Sequence, residues 1–224
     1  ARERKVLEMN KASLLTSTAA LALASGAFAD FTGFRGVEST YEGFNVIDVY
    51  ADFDAANAVL NVFNASVFLT DGSDFNHNDL TGAAGSWKPS FSFDIPGSYD
   101  SMQDSYVTIG YGVGAAAALN QTALDPGFGT GSGGQIPQGT AGWFNLTPDT
   151  PQYAADNGDG TYSLQVGHFV FAADTTFTFD AEIGFNDGPG TEVSFGEGVF
   201  TTVPAPGALA LLGLAGIVSR RRRA

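Results

Sequence analysis

The sequence predicts an all-β fold: an antiparallel two-sheet β-sandwich of the jelly-roll type, between an N-terminal signal peptide and a C-terminal apolar helix. Three observations predict it. The chain is rich in Phe and Gly, with 19 and 29 of its 224 residues, a composition that favours strands and turns over helices. Several stretches alternate apolar and polar residues with a period of two, as half-buried strands do. Short Gly-rich turn motifs separate these stretches, and no repeat period is visible.

The strands are predicted within residues 30–202, which form a single domain. The clearest alternation places Phe177, Phe179, Ala181, Ile183 and Phe185 on one face of a strand, with polar residues opposite. The complete set of predicted strands is 44–53, 58–69, 90–95, 107–113, 141–146, 161–172, 176–185 and 192–201. Eight or nine such strands suffice for two facing sheets.

Turn residues fix the connections between these strands. Asp71-Gly72, 95–97 and 186–190 carry turn signals, and Asp156 to Tyr162 predicts a hairpin tip leading into a long strand. The Ala-rich stretch 114–120 predicts one or two helical turns, and 125–140 predicts a long loop.

The N-terminal residues 1–29 predict export. Met9, Asn10 and Lys11 open a secretory signal whose apolar part spans 14–24. Ala27 and Ala29 form a small-x-small cleavage site before Asp30, and residues 1–8 are interpreted as an upstream extension. An uncleaved N-terminal anchor is the alternative, but the apolar part is short for a membrane span. The absence of cysteine excludes lipoprotein attachment, disulfides and thiolate chemistry.

The predicted domain is strongly acidic once the two ends are set aside. Between residues 30 and 202 the only bases are Arg35 and Lys88, against 22 acids, which gives a formal charge of −20. Nucleic acid is therefore excluded as a partner, because its phosphates would be repelled. Divalent cations would instead be attracted to this surface.

The C-terminal segment 203–224 predicts membrane engagement. Val203, Pro204, Ala205 and Pro206 form an extended, helix-breaking motif before an apolar run from Gly207 to Val218. Twelve helical residues rise about 18 Å, less than the roughly 30 Å hydrocarbon core of a bilayer. A basic cluster follows and would hold the end in the cytoplasm; it comprises Arg220, Arg221, Arg222 and Arg223.

This arrangement resembles the PEP-CTERM sorting signal, in a variant similar to that of planctomycete proteins. The resemblance covers residues 203–224, with Ala205 in place of the motif's usual central Glu. It implies an exported protein that the secretion machinery delivers and an exosortase-type enzyme processes. It implies anchoring in the membrane before processing, and location at the cell surface or in the extracellular matrix afterwards. A C-terminal anchor that is never cleaved is the alternative.

Three residue clusters are candidates for chemistry. Asp48, Asp52 and Asp54 share one face of a predicted strand, and the spacing of the last two, about 7 Å, would suit an inverting glycosidase. A solvated acidic face explains this row more simply. A calcium ion is a candidate cofactor for the oxygen-rich loop, whose possible ligands are Asp71, Asp74, Asn76, Asn78 and Asp79. The candidate sugar-stacking aromatics are Trp87, Trp143 and Tyr153.

His77 and His168 are the only histidines, and neither stands in a triad or zinc motif, so both are expected to be structural or solvent-facing. The sequence therefore predicts a non-enzymatic surface or matrix protein, deposited with extracellular polysaccharide. Two alternatives stay open: a carbohydrate-binding module stabilised by calcium, and a glycosidase or lyase that uses acidic residues.

Overall fold

A computed structural model describes residues 30–77, 87–89, 95–96, 99–110, 122–129, 134–137, 139–147, 152–172 and 175–202. These residues contain twelve strands and no helix. In chain order the strands are β1 (Phe31–Tyr41), β2 (Phe44–Phe53), β3 (Ala58–Leu69), β4 (Tyr106–Val107), β5 (Thr122–Leu124), β6 (Gln135–Ile136), β7 (Trp143–Asn145), β8 (Gln152–Tyr153), β9 (Ala155–Asp156), β10 (Tyr162–Ala172), β11 (Phe177–Asn186) and β12 (Ser194–Thr201). None of the described residues belongs to a helical segment that could span a lipid bilayer.

The strands form two antiparallel sheets, which confirms the all-β, two-sheet prediction. The first sheet has the order β1-β2-β10-β4, and β9 also pairs with β10. The second sheet has the order β12-β11-β3-β7-β5, and β6 and β8 also pair with β3. The signal peptide and the apolar C-terminal helix of the prediction lie outside the described residues.

The two sheets face each other across an aromatic core. Phe34 of β1 meets Phe179 of β11 with ring centroids 4.8 Å apart, and Phe53 of β2 meets Phe185 of β11 at 5.2 Å. Both contacts are edge-to-face, the arrangement that aromatic quadrupoles favour by about 0.5–1.5 kcal/mol per pair. The predicted alternation places these rings inward, because every second residue of a strand points to the same side.

Glycines let the edges of the two sheets close on each other. The inward positions of β12 include Gly196 and Gly198, and a Cβ at Gly196 would lie 2.4 Å from the Phe31 ring of β1. On β1, a Cβ at Gly36 would lie 2.3 Å from the Phe200 ring of β12. Each large ring therefore occupies the space that a glycine on the opposite strand leaves open.

Most predicted strands are confirmed, at 44–53, 58–69, 141–146, 161–172, 176–185 and 192–201, with small shifts of their ends. The predicted strand 107–113 is wrong for the described residues after Val107, where the observed strand ends. The backbone nitrogens of Thr108 and Gly110 still donate to carbonyls of β10, but these carbonyls lie at a bulge at 165–167, where the regular ladder ends. The predicted strand 90–95 lies outside the description except for Ile95, which bridges Tyr99. Residues 111–120, with the predicted helical turn, are also outside it.

Two local predictions have clear outcomes. The hairpin is confirmed: β9 and β10 pair through Asp156 and Tyr162, and Gly158 and Gly160 adopt positive φ angles of 83° and 88°. The predicted loop 125–140 is wrong at its end, because β6 forms there and pairs with Val67 and Phe68 of β3.

Candidate functional site

The outer face of the first sheet carries a polar network. The alternation of β2 points Ile47, Val49 and Ala51 into the core, while Asp48, Tyr50 and Asp52 stay half-buried on the outer side. Neighbouring strands add further polar groups to this face, namely Arg35 from β1 and Ser163, Gln165 and His168 from β10. These seven residues are called the outer-face network.

One half of the network is centred on Asp52. The Arg35 guanidinium donates to both Asp52 carboxylate oxygens, at 2.8 and 3.2 Å, and to Ser163 Oγ at 3.0 Å. Ser163 Oγ in turn donates to Asp52 Oδ1 at 2.7 Å. The hydrogen bond with Asp52 raises the pKa of Arg35, and its guanidinium also lies 5.1 Å from the centre of the Tyr50 ring.

The other half is centred on Asp48. His168 Nδ1 lies 2.7 Å from Asp48 Oδ1, and Gln165 donates to the same oxygen at 2.8 Å. The imidazole stacks on Tyr106 at 4.9 Å and is only 5% exposed. Burial, followed by the charge of Asp48, raises the pKa of Tyr50.

A carboxylate that fixes Nδ1 is how proteins orient a histidine for base catalysis or metal binding at Nε2. Here Nε2 of His168 is buried and has no hydrogen-bond partner among the described residues. This nitrogen is therefore not exposed to solvent in the structure. The half-buried, hydrogen-bonded Asp48 and Asp52 also correct the prediction of a simply solvated acidic row. Only Asp54 of the three acids is exposed.

A second polar cluster lies inside the protein around His77. His77 Nδ1 is 3.0 Å from Asp104 Oδ1 and 2.9 Å from the carbonyl of Ser105, and the imidazole stacks on Trp87 at 4.1 Å. Tyr99 Oη donates to the other Asp104 oxygen at 3.2 Å. The His77 and Asp104 side chains are 2% and 0% exposed, so both act within the fold. Both histidine side chains are thus buried and contact an aspartate, so neither of them faces the solvent.

The predicted calcium ligands are only partly placed by the structure. Asp71 accepts from the backbone nitrogen and hydroxyl of Ser73 at 3.0 and 2.7 Å, and the hydroxyl bond is the main reason why its pKa is lowered. Asn76 uses its amide nitrogen on the Gln103 carbonyl at 2.6 Å. Asp74 is exposed, while Asn78 and Asp79 lie outside the described residues. No group of three or more His, Asp or Glu side chains that could hold a metal occurs in the described ranges.

The sugar-stacking prediction is wrong for both tryptophans. Trp87 is 0% exposed and Trp143 is 1% exposed, so neither ring offers a face to a ligand. Trp143 packs edge-on against Phe179, and its Nε1 donates to the carbonyl of Thr108 at 2.9 Å. The large aromatic rings of this Gly-rich chain fill the space between the two sheets, so the tryptophans are buried in the core and are not displayed on the surface. Tyr153 alone of the three stays on the surface, 45% exposed.

An exposed aromatic patch that the sequence did not predict lies on the outer face of the second sheet. Phe195 of β12 is 67% exposed, and its ring meets Phe63 of β3 edge-on at 5.9 Å. The ring also extends over Gly184 of β11, whose Cβ position would lie 3.4 Å from Phe195 Cε1. Glu197 and Glu182 are paired directly beside it. The sequence Ser-Phe-Gly-Glu-Gly-Val of β12 indicates this arrangement, because its glycines take the inward positions and Phe195 therefore points outward.

The predicted processing residues lie at the two ends, outside the described part: Ala27, Ala29, Val203, Pro204, Ala205, Pro206 and Arg220, Arg221, Arg222, Arg223. The last described residue, Thr202, is firmly held. Its backbone nitrogen donates to the Phe177 carbonyl at 2.9 Å, and its hydroxyl accepts from the Phe177 nitrogen at 3.1 Å. Comparison with family models, curated proteins and solved structures finds no match.

Proposed function

We propose that this chain is an exported protein whose jelly-roll-like sandwich serves a structural or interaction role at the cell surface or in the extracellular matrix. The observation that carries the proposal is the position of the domain ends. The last strand is fastened at Thr202, one residue before the predicted sorting motif begins at Val203. At the other end, Asp30, the first residue after the predicted signal cleavage site, is already hydrogen-bonded to Asp54. Removing both terminal segments would therefore leave the described strands complete.

The resemblance of residues 203–224 to PEP-CTERM signals supports the route. In this proposal the secretion machinery exports the chain, the apolar segment and its arginines hold it in the membrane, and an exosortase-type enzyme releases it. The non-enzymatic role is supported by how the polar side chains are used. Asp48 and Asp52 bind side chains of β10 and so join it to β2, and His77 binds Asp104 inside the fold.

The sorting step is tested by mass spectrometry of the mature C-terminus in a host that has the sorting enzyme. The expected surface-released protein ends before Arg220. A variant with Pro204→Ala and Pro206→Ala keeps the apolar segment and the arginines but loses the motif, and it is expected to stay in the membrane fraction. Recovery of released protein with all four arginines would contradict cleavage, and intracellular retention would contradict export.

The aromatic patch favours a second candidate function, the binding of a sugar chain. Phe195 offers a ring that a pyranose can stack on, and Asn61 and Glu182 lie beside it with groups that hydrogen-bond hydroxyls. A glycan array with the exported protein, with and without EDTA, tests this role and the calcium prediction together. Phe195→Ala should abolish binding. Val199→Ala, at a 63% exposed position on the same strand, should leave it intact. Equal binding by both variants would exclude the patch.

A further inference from the structure

Asp30 and Asp54 form a reciprocal pair of hydrogen bonds where β1 begins and β2 ends. The Asp30 nitrogen donates to Asp54 Oδ1 at 2.7 Å, and the Asp54 nitrogen donates to the Asp30 carbonyl at 3.2 Å. The pair continues the ladder by one step beyond Phe31 and Phe53, which are partners in the register of the two strands. The Asp54 carboxylate thus holds the backbone nitrogen at the predicted cleavage point.

We propose that signal-peptide removal turns this hydrogen bond into an ion pair that locks β1 against β2. The inference rests on the proposed export. Water hydrolyses the amide between Ala29 and Asp30 on a signal peptidase, leaving a carboxylate on Ala29 and a new α-amino group on Asp30. That amine takes up a proton at neutral pH. The nitrogen that donated as a neutral amide then donates as an ammonium to the same Asp54 carboxylate, and charge-assisted hydrogen bonds are the stronger kind.

The charge of the domain favours this pairing. Arg35 and Lys88 are the only other bases in residues 30–202, against 22 acids, so a new cation at Asp30 enters a strongly negative surrounding field. Contact with a carboxylate raises the pKa of the α-amino group above its usual range, because the negative charge favours the protonated amine. The stabilisation is therefore fully present below the amine's ordinary pKa and is lost as pH rises through the raised value. Both residues are exposed, so the effect is modest and weakens with salt.

The ion pair between Asp30 and Asp54 would hold the end of a strand at the edge of its sheet. β1 is an edge strand of the first sheet, and it supplies Phe34 to the core and Arg35 to the outer-face network. Strand ends fray unless something holds them. An ammonium at Asp30 would hold the outermost residue of β1 only after the signal peptide has left. Signal-peptide removal would thus strengthen the attachment of β1 to β2.

The experiment compares amine reactivity in the exported, processed protein and in two variants of it. Intact mass and N-terminal peptide sequencing first establish the starting residue. An acylating reagent is then applied across a pH series, and labelling is read on the tryptic peptide that ends at Arg35. Lys88, the only lysine within residues 30–202, reports reagent activity in the same sample. The variants are Asp54→Asn, which keeps an acceptor oxygen but removes the charge, and Asp180→Asn, an exposed acid on the second sheet, as the control.

With the lock, the α-amine of the unmodified protein reacts about two- to five-fold more slowly near neutral pH than that of Asp54→Asn, as expected for an exposed pair. Asp180→Asn matches the unmodified protein, and added salt removes the difference. Identical reactivity in Asp54→Asn and the unmodified protein, both starting at Asp30, overturns the lock while export stands. A mature chain that starts at another residue, or an unprocessed one, overturns the lock together with the predicted cleavage site.

Discussion

Replacing Gly142 with Ala should destabilise the sandwich, because this residue, immediately before β7, lies directly against the backbone of β3. An alanine Cβ at this position would sit 2.0 Å from the Val62 carbonyl oxygen and 2.7 Å from Phe63 Cα. Ordinary contacts begin at 3.4 Å, and both obstacles are backbone atoms, which cannot rotate away as a side chain can. The strand would have to withdraw by about 1 Å, a displacement that a close-packed interior resists.

The cost follows from what that withdrawal breaks. The hydrogen bond from the Ala65 nitrogen to the Ala141 carbonyl, 3.1 Å long, would stretch beyond useful range, as would the ladder that pairs Val62 with Trp143. Each such bond contributes about 1 kcal/mol net. With loosened packing around the buried Trp143, the free energy of unfolding should fall by about 2–3 kcal/mol. For a domain of this size, that corresponds to a fall in Tm of about 4–12 °C.

Thermal and urea unfolding, followed by circular dichroism, measure this effect. The matched control is Gly127→Ala, whose Cβ would be 3.7 Å from Ala141 Cβ, an ordinary contact. That variant should stay within about 0.5 kcal/mol of the unmodified protein. A Gly142→Ala protein as stable as the control would refute the close approach of β7 to β3.

Three further predictions concern the core and the acidic side chains. Phe179→Ala removes a fully buried ring and should lower the free energy of unfolding by about 3–5 kcal/mol in urea titrations; a loss below about 1 kcal/mol would contradict its central position. Asp48→Asn should lower the pKa of Tyr50 towards its usual value, because one of the two effects that raise it is removed, and an ultraviolet titration of the phenol measures this. Thr161→Val should raise the pKa of Asp159 towards its ordinary value, because the hydrogen bond from the Thr161 hydroxyl is the largest cause of the lowered pKa. Any stability linked to this carboxylate is present above the ordinary aspartate pKa and is lost as pH falls through the lowered one. Carboxyl chemical shifts across an acid titration measure the pKa of Asp159, and an unchanged pKa in the variant would contradict this prediction.

The long strands could be predicted because their inward and outward residues differ in type. In β11, for example, Phe177, Phe179 and Ile183 alternate with polar residues, and the pattern alone sets the buried face. β1 was missed because an edge strand is largely exposed, and its glycines and polar residues blur the alternation. The strands β5, β6, β8 and β9 have two or three residues each, which is too short for any period to appear.

The candidate sites were harder to predict, because they depend on which strands become neighbours. Nothing local relates Asp48 to His168, which are 120 positions apart and meet only because β2 pairs with β10. The sugar-stacking prediction for the tryptophans was wrong for a different reason. A tryptophan suits a sugar platform and a core equally well by composition, and only the packing around Trp143 decides between them.

The shortness of β4 explains the buried polar contacts that Ser105 and Tyr106 make with β10. This strand pairs with β10 over only two residues, Tyr106 and Val107, so its ladder alone holds it weakly. Side chains supply the missing bonds. Ser105 Oγ donates to the Val170 carbonyl at 3.2 Å and accepts from the Val170 nitrogen at 2.8 Å, and Tyr106 stacks on His168. Because buried polar groups are costly unless paired, these contacts specify one position for the strand. A replacement of Ser105 by Ala would remove the acceptor of the Val170 nitrogen, while the Val170 carbonyl would keep its bond from the Asn76 nitrogen at 2.7 Å.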